Sequence, residues 1–379
     1  MRVLLLLQSL DGGGAERVAV NLLNHWDPHV VDARLGLLRR TGPYLAEVDA
    51  DRLWAPDRRR GPIAPIAWAP VDIARMVRGL RPQVLMTFGM GIDLLAWPAL
   101  RTLGPMRPRW ICRGDSNPDA EIGHLALGPL GRAAARAAVR RVHRSADGVV
   151  AVARDLAARL DGDAHAASPR ARVIYNPVDV AKIRTLAARR PAEDSGRPFI
   201  VAAGRLVHQK GYDLLIKAFA DSAGARGMDL VVLGEGPLEG ALKAQVASLG
   251  LEGRVRFLGF QANPWAWFSR ARLFVLPSRW EGFGNVVAEA LACGAPTLVT
   301  DCDFGPREQV VHGVSGWVAK AGHAAALTAA LDALLTDPDL TARLGAAGRT
   351  RARAFDAPAI AAAYAALFQE QAAAPGPGW

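Results

Sequence analysis

Residues 278–294 decide the fold of the second half of this chain, and they read Ser278-Arg-Trp-Glu-Gly-Phe-Gly-Asn-Val-Val-Ala-Glu-Ala-Leu-Ala-Cys-Gly294. The apolar run Leu273–Leu276 before them predicts a buried strand, and residues 285–293 predict a helix. The loop between the two is rich in glycine and begins near Glu281. A helix rises about 1.5 Å per residue, so Glu281 and Glu289 are expected on the order of 10 Å apart. Two acids at this spacing, beside glycines and free helix amides, suit one long ligand that carries hydroxyls and phosphate.

Apolar strands and helices alternate along the whole chain, which predicts an α/β fold with parallel sheets covered on both faces. The polar, proline-bearing stretch 189–198 separates two such halves and is typical of a linker. We therefore expect doubly wound, Rossmann-like domains at 1–190 and 191–356. Residues 357–379 are expected to form a helix that returns to the first domain, followed by a disordered tail. In such sheets, ligands bind at the carboxyl ends of the strands.

Composition excludes several protein classes. Hydrophobic residues make up 51% and charged residues 22% of the 379 positions, as in ordinary globular proteins. The three cysteines (Cys112, Cys293 and Cys302) have no paired spacing, which disfavours a disulfide framework or a zinc site and fits a reducing compartment. The opening apolar run stops at Gln8 and predicts a first buried strand, and no run is long enough to span a bilayer. We expect a cytoplasmic protein.

The net charge of +10 is concentrated in the first half, where residues 1–190 hold 29 of the 46 basic and 18 of the 36 acidic residues. A basic surface attracts anionic lipid, phosphate-bearing glycans or nucleic acid. Residues 131–144 alternate arginines with alanines and valines, a pattern that suits either an interfacial helix on the inner face of the plasma membrane or a solvated helix face. Aromatic residues are only 7% and do not alternate with basic ones, so no nucleic-acid partner is expected.

Further segments occur in a fixed order along the chain: Gly12-Gly-Gly-Ala-Glu-Arg17, Tyr175-Asn-Pro-Val-Asp179, Gly204-Arg-Leu-Val-His-Gln-Lys-Gly211, Val255-Arg-Phe-Leu-Gly259 and Gly305-Pro-Arg-Glu308. Together with the Glu-x7-Glu pair at 281 and 289, they resemble the retaining glycosyltransferases of family four. This resemblance implies the GT-B fold, in which two Rossmann-like domains face each other across a cleft. It also implies that the first domain binds the acceptor and the second binds a nucleotide sugar.

The resemblance implies a role for each matching residue. Arg205 and Lys210 would hold the donor diphosphate, Glu281 would contact the donor sugar, and these three are expected to carry catalysis. The donor-binding residues would be Gly12, Gly13, Gly14, Gly204, Phe283, Gly284, Asn285, Glu289, Leu258 and Gly259. From the residues alone, solvated surface charges, a carboxylate that merely favours a helix start, and a tight structural glycine turn remain alternatives.

The acceptor side is less well marked. Arg113, Asp115 and Asn117 follow a predicted strand, at the place where several members of the family have a histidine. This chain has no histidine there, and His124 lies several residues later. Asp301 and Asp303, like Asp161 and Asp163, have the Asp-x-Asp spacing of a metal motif, but turns are their expected role and no metal is predicted.

The expected reaction is transfer of a hexose or N-acetylhexosamine from a nucleotide diphosphate sugar, with UDP favoured, to a hydroxyl of a glycan or lipid-linked glycan. The resemblance implies that no cofactor or metal takes part and that bacterial surface polysaccharide or glycoconjugate is the product. Two alternatives remain open at this point. One is a GT-B sugar-nucleotide epimerase or phosphorylase, and the other is a non-catalytic protein that binds an anionic polymer.

Overall fold

The computed structural model describes residues 1–56, 64–164, 171–191 and 196–374 of the chain. They form two compact units, one of Met1–Pro177 with Ala357–Trp379 and the other of Val178–Asp356. Each unit contains one sheet in which every paired neighbour runs parallel. The predicted fold class, two doubly wound Rossmann-like domains, is confirmed.

The sheet of the first unit has seven strands in the order β3-β2-β1-β4-β5-β6-β7. The strands are β1 (Arg2–Leu7), β2 (Asp32–Leu37), β3 (Leu53–Trp54), β4 (Val84–Phe88), β5 (Arg109–Gly114), β6 (Gly148–Ala151) and β7 (Arg172–Val173). The helices are α1 (Gly14–His25), α2 (Ala64–Leu80), α3 (Met90–Arg101), α4 (Pro118–His124), α5 (Pro129–Ser145) and α6 (Arg154–Ala164).

Strand β1 explains why a continuous apolar run is needed at the centre of this sheet. Val3, Leu5 and Leu7 belong to a core cluster on one face, together with residues of α1. Leu4 and Leu6 belong to a cluster on the other face, together with residues of α2 and α3. Both faces are therefore buried, and each fully buried leucine contributes about 1.5–3 kcal/mol to folding.

The sheet of the second unit has six strands in the order β10-β9-β8-β11-β12-β13. Its elements are α7 (Val180–Ala187), β8 (Phe199–Ala203), α8 (Tyr212–Asp221), β9 (Asp229–Leu233), α9 (Glu239–Ser248), β10 (Val255–Phe257), α10 (Trp265–Phe268), β11 (Leu273–Leu276), α11 (Asn285–Cys293), β12 (Thr297–Thr300), α12 (Pro306–Gln309), β13 (Trp317–Ala319), α13 (Ala324–Leu335) and α14 (Pro338–Arg351).

The units divide between residues 177 and 178, whereas the sequence places the division between 190 and 191. The difference arises from α7, whose carboxyl end is bound by residues of the second unit. The side-chain amide of Asn263 donates to the carbonyl of Leu186 at 2.9 Å, and the hydroxyl of Ser269 donates to the carbonyl of Ala187 at 2.9 Å. Residues 192–195 of the expected linker lie outside the described residues.

The last helix, α15 (Ala357–Ala373), belongs to the first unit. The indole nitrogen of Trp26 in α1 donates to the carbonyl of Ala361 at 2.8 Å, and the ring of Trp26 lies 5.6 Å from that of Phe368. Residues 375–379, where the disordered tail is expected, lie outside the described residues. Among the described residues, no helix combines the length and the hydropathy that a bilayer crossing requires.

A single buried cation ties α15 to strand β5. Arg113 is 0% exposed, and its Nε donates to the hydroxyl of Tyr364 at 3.1 Å. Its Nη2 donates to the side-chain oxygen of Asn176, and its Nη1 lies 3.7 Å from a carboxylate oxygen of Asp115. Nη1 of Arg113 has this ion-pair contact but no hydrogen bond among the described residues. The hydrogen bond to Tyr364 is the contact that holds the end of the chain against the sheet.

Replacing Tyr364 by phenylalanine is expected to destabilise the first unit by about 1.5–3 kcal/mol, because it removes the acceptor of a buried charged donor. Urea unfolding measures this loss, and amide exchange should show faster exchange in α15. Tyr44→Phe is the matched control, since its partly buried hydroxyl donates over 3.4 Å to the uncharged carbonyl of Gly12 and does not accept from a buried guanidinium. Equal effects of the two variants would contradict the role given to Arg113.

Candidate functional site

The predicted donor loops lie at one point of the second sheet. The strand order changes direction between β8 and β11, which are adjacent in the sheet although two strands separate them in the chain. Loop 204–211 follows β8 and loop 277–284 follows β11, so both leave the sheet at its carboxyl edge. In open parallel sheets this switch point is where ligands bind.

The expected catalytic carboxylate, that of Glu281, belongs to loop 277–284 and contacts loop 204–211. Oε1 of Glu281 is 2.6 Å from Nζ of Lys210 and accepts a second hydrogen bond, of 2.7 Å, from the hydroxyl of Ser278. The side chain of Glu281 is 6% exposed and that of Lys210 is 14% exposed. Among the described residues, Oε2 of Glu281 has no protein donor. The structure therefore joins two of the predicted catalytic residues in one ion pair and adds Ser278, which the sequence-based prediction missed.

Arg205, the third predicted catalytic residue, has different surroundings. Its side chain is exposed and has no hydrogen-bond or ion-pair partner in the part of the chain that the structure describes. The neighbouring Leu206 is fully buried and fixes the backbone of the loop. Arg205 therefore lies on the same loop as Lys210, and its guanidinium donors are available to an anionic ligand.

A second set of contacts holds the two donor loops together. Arg279 makes a two-pronged ion pair with Asp213 at the start of α8, with N–O distances of 2.8 and 2.6 Å. The backbone amide of Arg279 donates to the carbonyl of Gln209 at 2.7 Å, and the side-chain amide of Gln209 donates to the carbonyl of Trp280 at 3.0 Å. The hydrogen bonds from Arg279 lower the pKa of Asp213, whose burial acts in the opposite direction. The positions of Lys210 and Glu281 are thus set by the same loop contacts.

Glycine is required where the loops meet. Gly211 has a φ of +67°, and a Cβ there would lie 2.2 Å from the carbonyl oxygen of Pro277. No other residue fits this approach without moving the backbone. Gly204 also has positive φ, +145°, and a Cβ at this position would lie 3.1 Å from the hydroxyl of Tyr212. That hydroxyl is buried without a hydrogen-bond partner, and burial raises the pKa of Tyr212, with the charge of Glu281 adding to the effect.

Helix α11 begins where the second loop ends. Gly284 precedes the helix in a left-handed conformation, and Gly284 and Asn285 are partly exposed, so the first turn of the helix is accessible. Phe283 is buried, and a Cβ on Gly305 would lie 2.3 Å from its Cα. The Gly305–Glu308 segment therefore packs closely against loop 277–284. The accessible helix start suits a phosphate or a sugar hydroxyl.

Glu289, the predicted ribose ligand, is 8% exposed inside α11. Its Oε2 accepts a hydrogen bond of 3.0 Å from the indole nitrogen of Trp265 in α10. A buried carboxylate requires such a donor, and the sequence signal for it was the tryptophan-rich run 265–268. The contact supplies a structural role for Glu289 beside the predicted one.

Leu258 and Gly259, expected near the base, follow β10. The carbonyl of Leu258 accepts from the side chain of Gln261 at 2.8 Å, and the carbonyl of Gly259 accepts from the amide of Gly234 at 2.7 Å. Both carbonyls therefore already have a protein donor. A base placed here would use the remaining lone pairs or the amides.

The Asp301-Cys302-Asp303 segment follows β12 and contacts residues that are distant in the chain. Oδ1 of Asp301 accepts from the amide of Ala321 at 2.6 Å, and the carbonyl of Asp303 accepts from the amide of Glu281 at 3.3 Å. Burial raises the pKa of Cys302 to about 12, and the negative charge of Glu281 adds to it. The thiol of Cys302 is consequently neutral at physiological pH and is a poor nucleophile.

In the first unit, the sheet changes direction between β1 and β4, and the glycine loop follows β1. Gly12 has a φ of +99°, Gly13 caps α1 and Gly14 is its first residue. Arg17 in α1 has protein partners: its Nη1 lies 2.7 Å from a carboxylate oxygen of Glu47, and its guanidinium carbon lies 3.8 Å from the ring centre of Tyr44. The glycine loop thus stands at the equivalent switch point of the first sheet.

The three predicted acceptor residues have separate environments. Arg113 is wholly buried, and the side-chain oxygen of Asn117 caps α4 by accepting from the amides of Asp119 and Ala120 at 3.0 and 3.3 Å. Asp115 is half-buried. Burial raises the pKa of its carboxyl, Arg113 opposes the rise and Asp93 adds to it. Asp115 is therefore the member of this set whose side chain is left to meet a ligand.

Two family models match the chain, one for each unit. Residues 12–182 match the description "Glycosyltransferase Family 4", and residues 184–351 match "Glycosyl transferases group 1". A solved structure of Anabaena Alr3699/HepE in complex with UDP-glucose is similar to the chain, with a TM-score of 0.79 and 22% identity over 98% of this chain and 100% of that one. This likeness shows the GT-B fold.

Curated relatives are also similar to the chain. One is a GDP-mannose-dependent alpha-(1-6)-phosphatidylinositol monomannoside mannosyltransferase of Mycolicibacterium smegmatis, 33% identical over 74% of this chain and 75% of that protein. Another is an N-acetylgalactosamine-N,N'-diacetylbacillosaminyl-diphospho-undecaprenol 4-alpha-N-acetylgalactosaminyltransferase of Campylobacter jejuni, 33% identical over 51% of this chain. The chain spans about half the length of the Campylobacter protein, 52%. From the two family models and the 33% identity to the Mycolicibacterium protein over 74% of this chain, the chain belongs to the group 1 glycosyltransferases of family four.

Proposed function

We propose that the chain is a retaining, metal-independent glycosyltransferase. It moves a hexose or N-acetylhexosamine from a nucleotide diphosphate sugar, with UDP favoured, to a hydroxyl of a glycan or lipid-linked glycan in bacterial surface polysaccharide or glycoconjugate synthesis. The observation that carries this proposal is the Lys210–Glu281 ion pair at the switch point of the second sheet. The family membership of the chain supports it, as do both relatives, which are named for lipid-linked glycan substrates.

The contacts of Glu281 suit binding of a donor sugar. Both hydrogen bonds from the protein go to Oε1, so Oε2 is left to accept from a sugar hydroxyl. Because Lys210 and Ser278 fix the carboxylate before the ligand arrives, no reorganisation is required in the reaction. No protein nucleophile is needed in this proposal, since the departing phosphate deprotonates the acceptor on the same face of the sugar.

Cations would stabilise the departing diphosphate in place of a metal. The ammonium of Lys210 has three donors, of which one goes to Glu281 and two remain. Arg205 adds an exposed guanidinium, which matches phosphate oxygens in a two-pronged geometry. The accessible first turn of α11, at Gly284 and Asn285, adds backbone amides. Positioning and charge stabilisation are therefore the work assigned to this unit.

Glu289 and the glycine loop complete the proposed donor contacts. Glu289 keeps its hydrogen bond to Trp265 and accepts from the ribose hydroxyls, which would orient the nucleoside. We also propose Gly12–Gly14 as donor-binding residues, because glycine permits close approach of backbone to a phosphate or a sugar. Asp115 is the proposed acceptor contact in the first unit.

The surface around the start of α5 in the first unit favours contact with an anionic membrane. Leu125, Leu127 and Leu130 are 45%, 38% and 89% exposed, and they surround the start of α5. Helix α5 carries five arginines (Arg132, Arg136, Arg140, Arg141 and Arg144) and no acidic residue. Exposed leucines beside arginines are typical of a surface that lies in the membrane interface. We propose peripheral attachment to the inner face of the plasma membrane through this surface.

The donor is identified by the melting temperature of the protein with UDP, GDP, ADP, UDP-GlcNAc, UDP-GalNAc, UDP-glucose and GDP-mannose. One base is expected to raise it by several degrees at a hundredfold excess over Kd, because that binding adds about 2.7 kcal/mol of stability. The shift is expected to be unchanged when EDTA is present throughout. A shift that EDTA abolishes would exclude metal-independent binding, and no shift with any nucleotide would contradict the donor site.

Glu281→Gln is expected to lower kcat by roughly 100-fold or more, since it removes a preorganised charge while keeping the volume.

Arg205→Ala is expected to weaken nucleotide binding by about 10–100-fold through the loss of charge-assisted hydrogen bonds. The matched controls are Glu252→Gln and Arg343→Ala, exposed positions elsewhere in the second unit. Full activity of both site variants would overturn these roles. The product separates the alternatives, since an epimerase isomerises the donor and a phosphorylase releases sugar phosphate.

Leu130→Glu is expected to reduce cosedimentation with anionic phospholipid vesicles severalfold, because a carboxylate would replace the most exposed leucine of the surface. Binding to zwitterionic vesicles should be weak in both proteins. Val30→Glu is the control, since Val30 is 45% exposed and precedes β2, at the opposite edge of the sheet. Equal losses in the two variants, or none in either, would contradict this membrane surface.

A further inference from the structure

Three side chains with metal-ligating atoms meet beneath helices of the first unit, and the transfer reaction uses none of them. Asp93 comes from α3, Cys112 from β5 and His143 from α5. One carboxylate oxygen, the sulfur and one ring nitrogen all lie within 4.8 Å of one another. Nε2 of His143 is 3.5 Å from Oδ2 of Asp93. Residues from three separate elements thus converge on a single point.

This point is buried. Asp93 is 1% exposed, Cys112 0% and His143 9%. Cys112 belongs to the apolar core cluster on that face of the sheet, together with Trp110 and Val142. A carboxylate in such surroundings requires hydrogen-bond donors or a cation, and the imidazole of His143 lies beside it. A divalent ion would supply the charge that the apolar surroundings lack.

The set of donor atoms points to one kind of ion. Thiolate, imidazole and carboxylate are together the ligands that Zn²⁺ accepts in proteins, whereas Mg²⁺ and Ca²⁺ prefer oxygen alone. Bonds of about 2.0–2.3 Å in a tetrahedron place ligand atoms about 3.3–3.8 Å apart. The 3.5 Å separation of the imidazole and carboxylate atoms has this value already. The sulfur needs to move by no more than about 1 Å to complete the same geometry.

A second layer of hydrogen bonds orients the carboxylate. The hydroxyl of Thr87 in β4 donates to Oδ1 of Asp93, which leaves Oδ2 directed to His143. The indole nitrogen of Trp110 donates to the same hydroxyl at 3.0 Å. Partners of this kind are what fix the direction of ligands around protein-bound metals. The carboxylate is therefore held in place before any ion arrives.

We propose that Asp93, Cys112 and His143 bind one Zn²⁺, with a water molecule as the fourth ligand. Binding releases the thiol proton to solvent and leaves the imidazole neutral. His143 also lines a cavity of about 30 Å³ together with Ile122 and Val139, so one residue of the set borders a space that an ion could enter. The ion would join α3, β5 and α5, and Cys112 would place it three residues before Asp115 in the chain.

Cobalt spectroscopy tests the site directly. The full chain, without a histidine tag and stripped of metal, is titrated with Co²⁺ while near-ultraviolet absorption is recorded. A sulfur-to-cobalt charge-transfer band that saturates at one ion per chain is the expected result. Cys112→Ser should abolish the band, and the matched variant Cys293→Ser, at a buried thiol of the second unit, should keep it. No band, or a band that survives Cys112→Ser, would overturn the proposal.

A second readout does not depend on sulfur. Zn²⁺ is expected to raise the melting temperature of the stripped protein and to have no such effect on Asp93→Asn, which preserves shape and removes the charge. Circular dichroism shows whether each variant is folded, and the cobalt affinity of a folded Asp93→Asn should fall at least 10-fold. Elemental analysis of protein purified without chelators should find zinc near one equivalent. An affinity unchanged in Asp93→Asn would show that the three side chains are only hydrogen-bonded neighbours.

Discussion

Each sheet of this protein reverses its strand order once, and the proposed donor chemistry depends on that constraint. At the reversal, the two adjacent strands send their following loops to opposite faces, so an opening remains at the carboxyl edge. In the second unit this opening lies between β8 and β11, and it is bordered by Gly204–Gly211 and by residues 277–284. The Lys210–Glu281 pair and the two hydrogen bonds of Gln209, with Arg279 and with Trp280, connect these two loops. The topology therefore brings together residues that lie 71 positions apart in the chain.

The Lys210–Glu281 pair is better understood as a positioning device than as a source of stability. Both side chains are mostly withdrawn from water, and the loss of hydration offsets much of their attraction. Removing one partner would leave the other buried and uncompensated, which costs more than the intact pair contributes. Three fixed groups, Ser278, Lys210 and the Arg279–Asp213 pair, hold the carboxylate in place. A carboxylate held in this way is ready for a hydroxyl-bearing ligand.

Local pattern predicted the first strand, strand β11, the glycine loop after β11 and the Glu-x7-Glu helix, because these follow from apolar runs and glycine placement within a short window. Partners distant in sequence could not be predicted in the same way. Glu289 bonds to Trp265 across 24 positions, and Arg113 bonds to Tyr364 across 251. Nothing near Arg113 in sequence distinguishes it from a surface arginine. The end of the first domain was also missed, because α7 attaches to the second unit through carbonyls that any sequence supplies.

Arginine content illustrates why burial must be known before charge is interpreted. The basic excess of the first half suggested one positive surface, yet its arginines differ in burial and in their ion-pair partners. Arg113 is an interior tie, Arg17 is paired with Glu47, and Arg136 and Arg159 both contact Asp119. Among the described residues, Arg140 has no such partner, and the exposed leucines lie on the same stretch of chain. The number of arginines that could contribute to the proposed membrane surface is therefore smaller than the net charge of the first half implies.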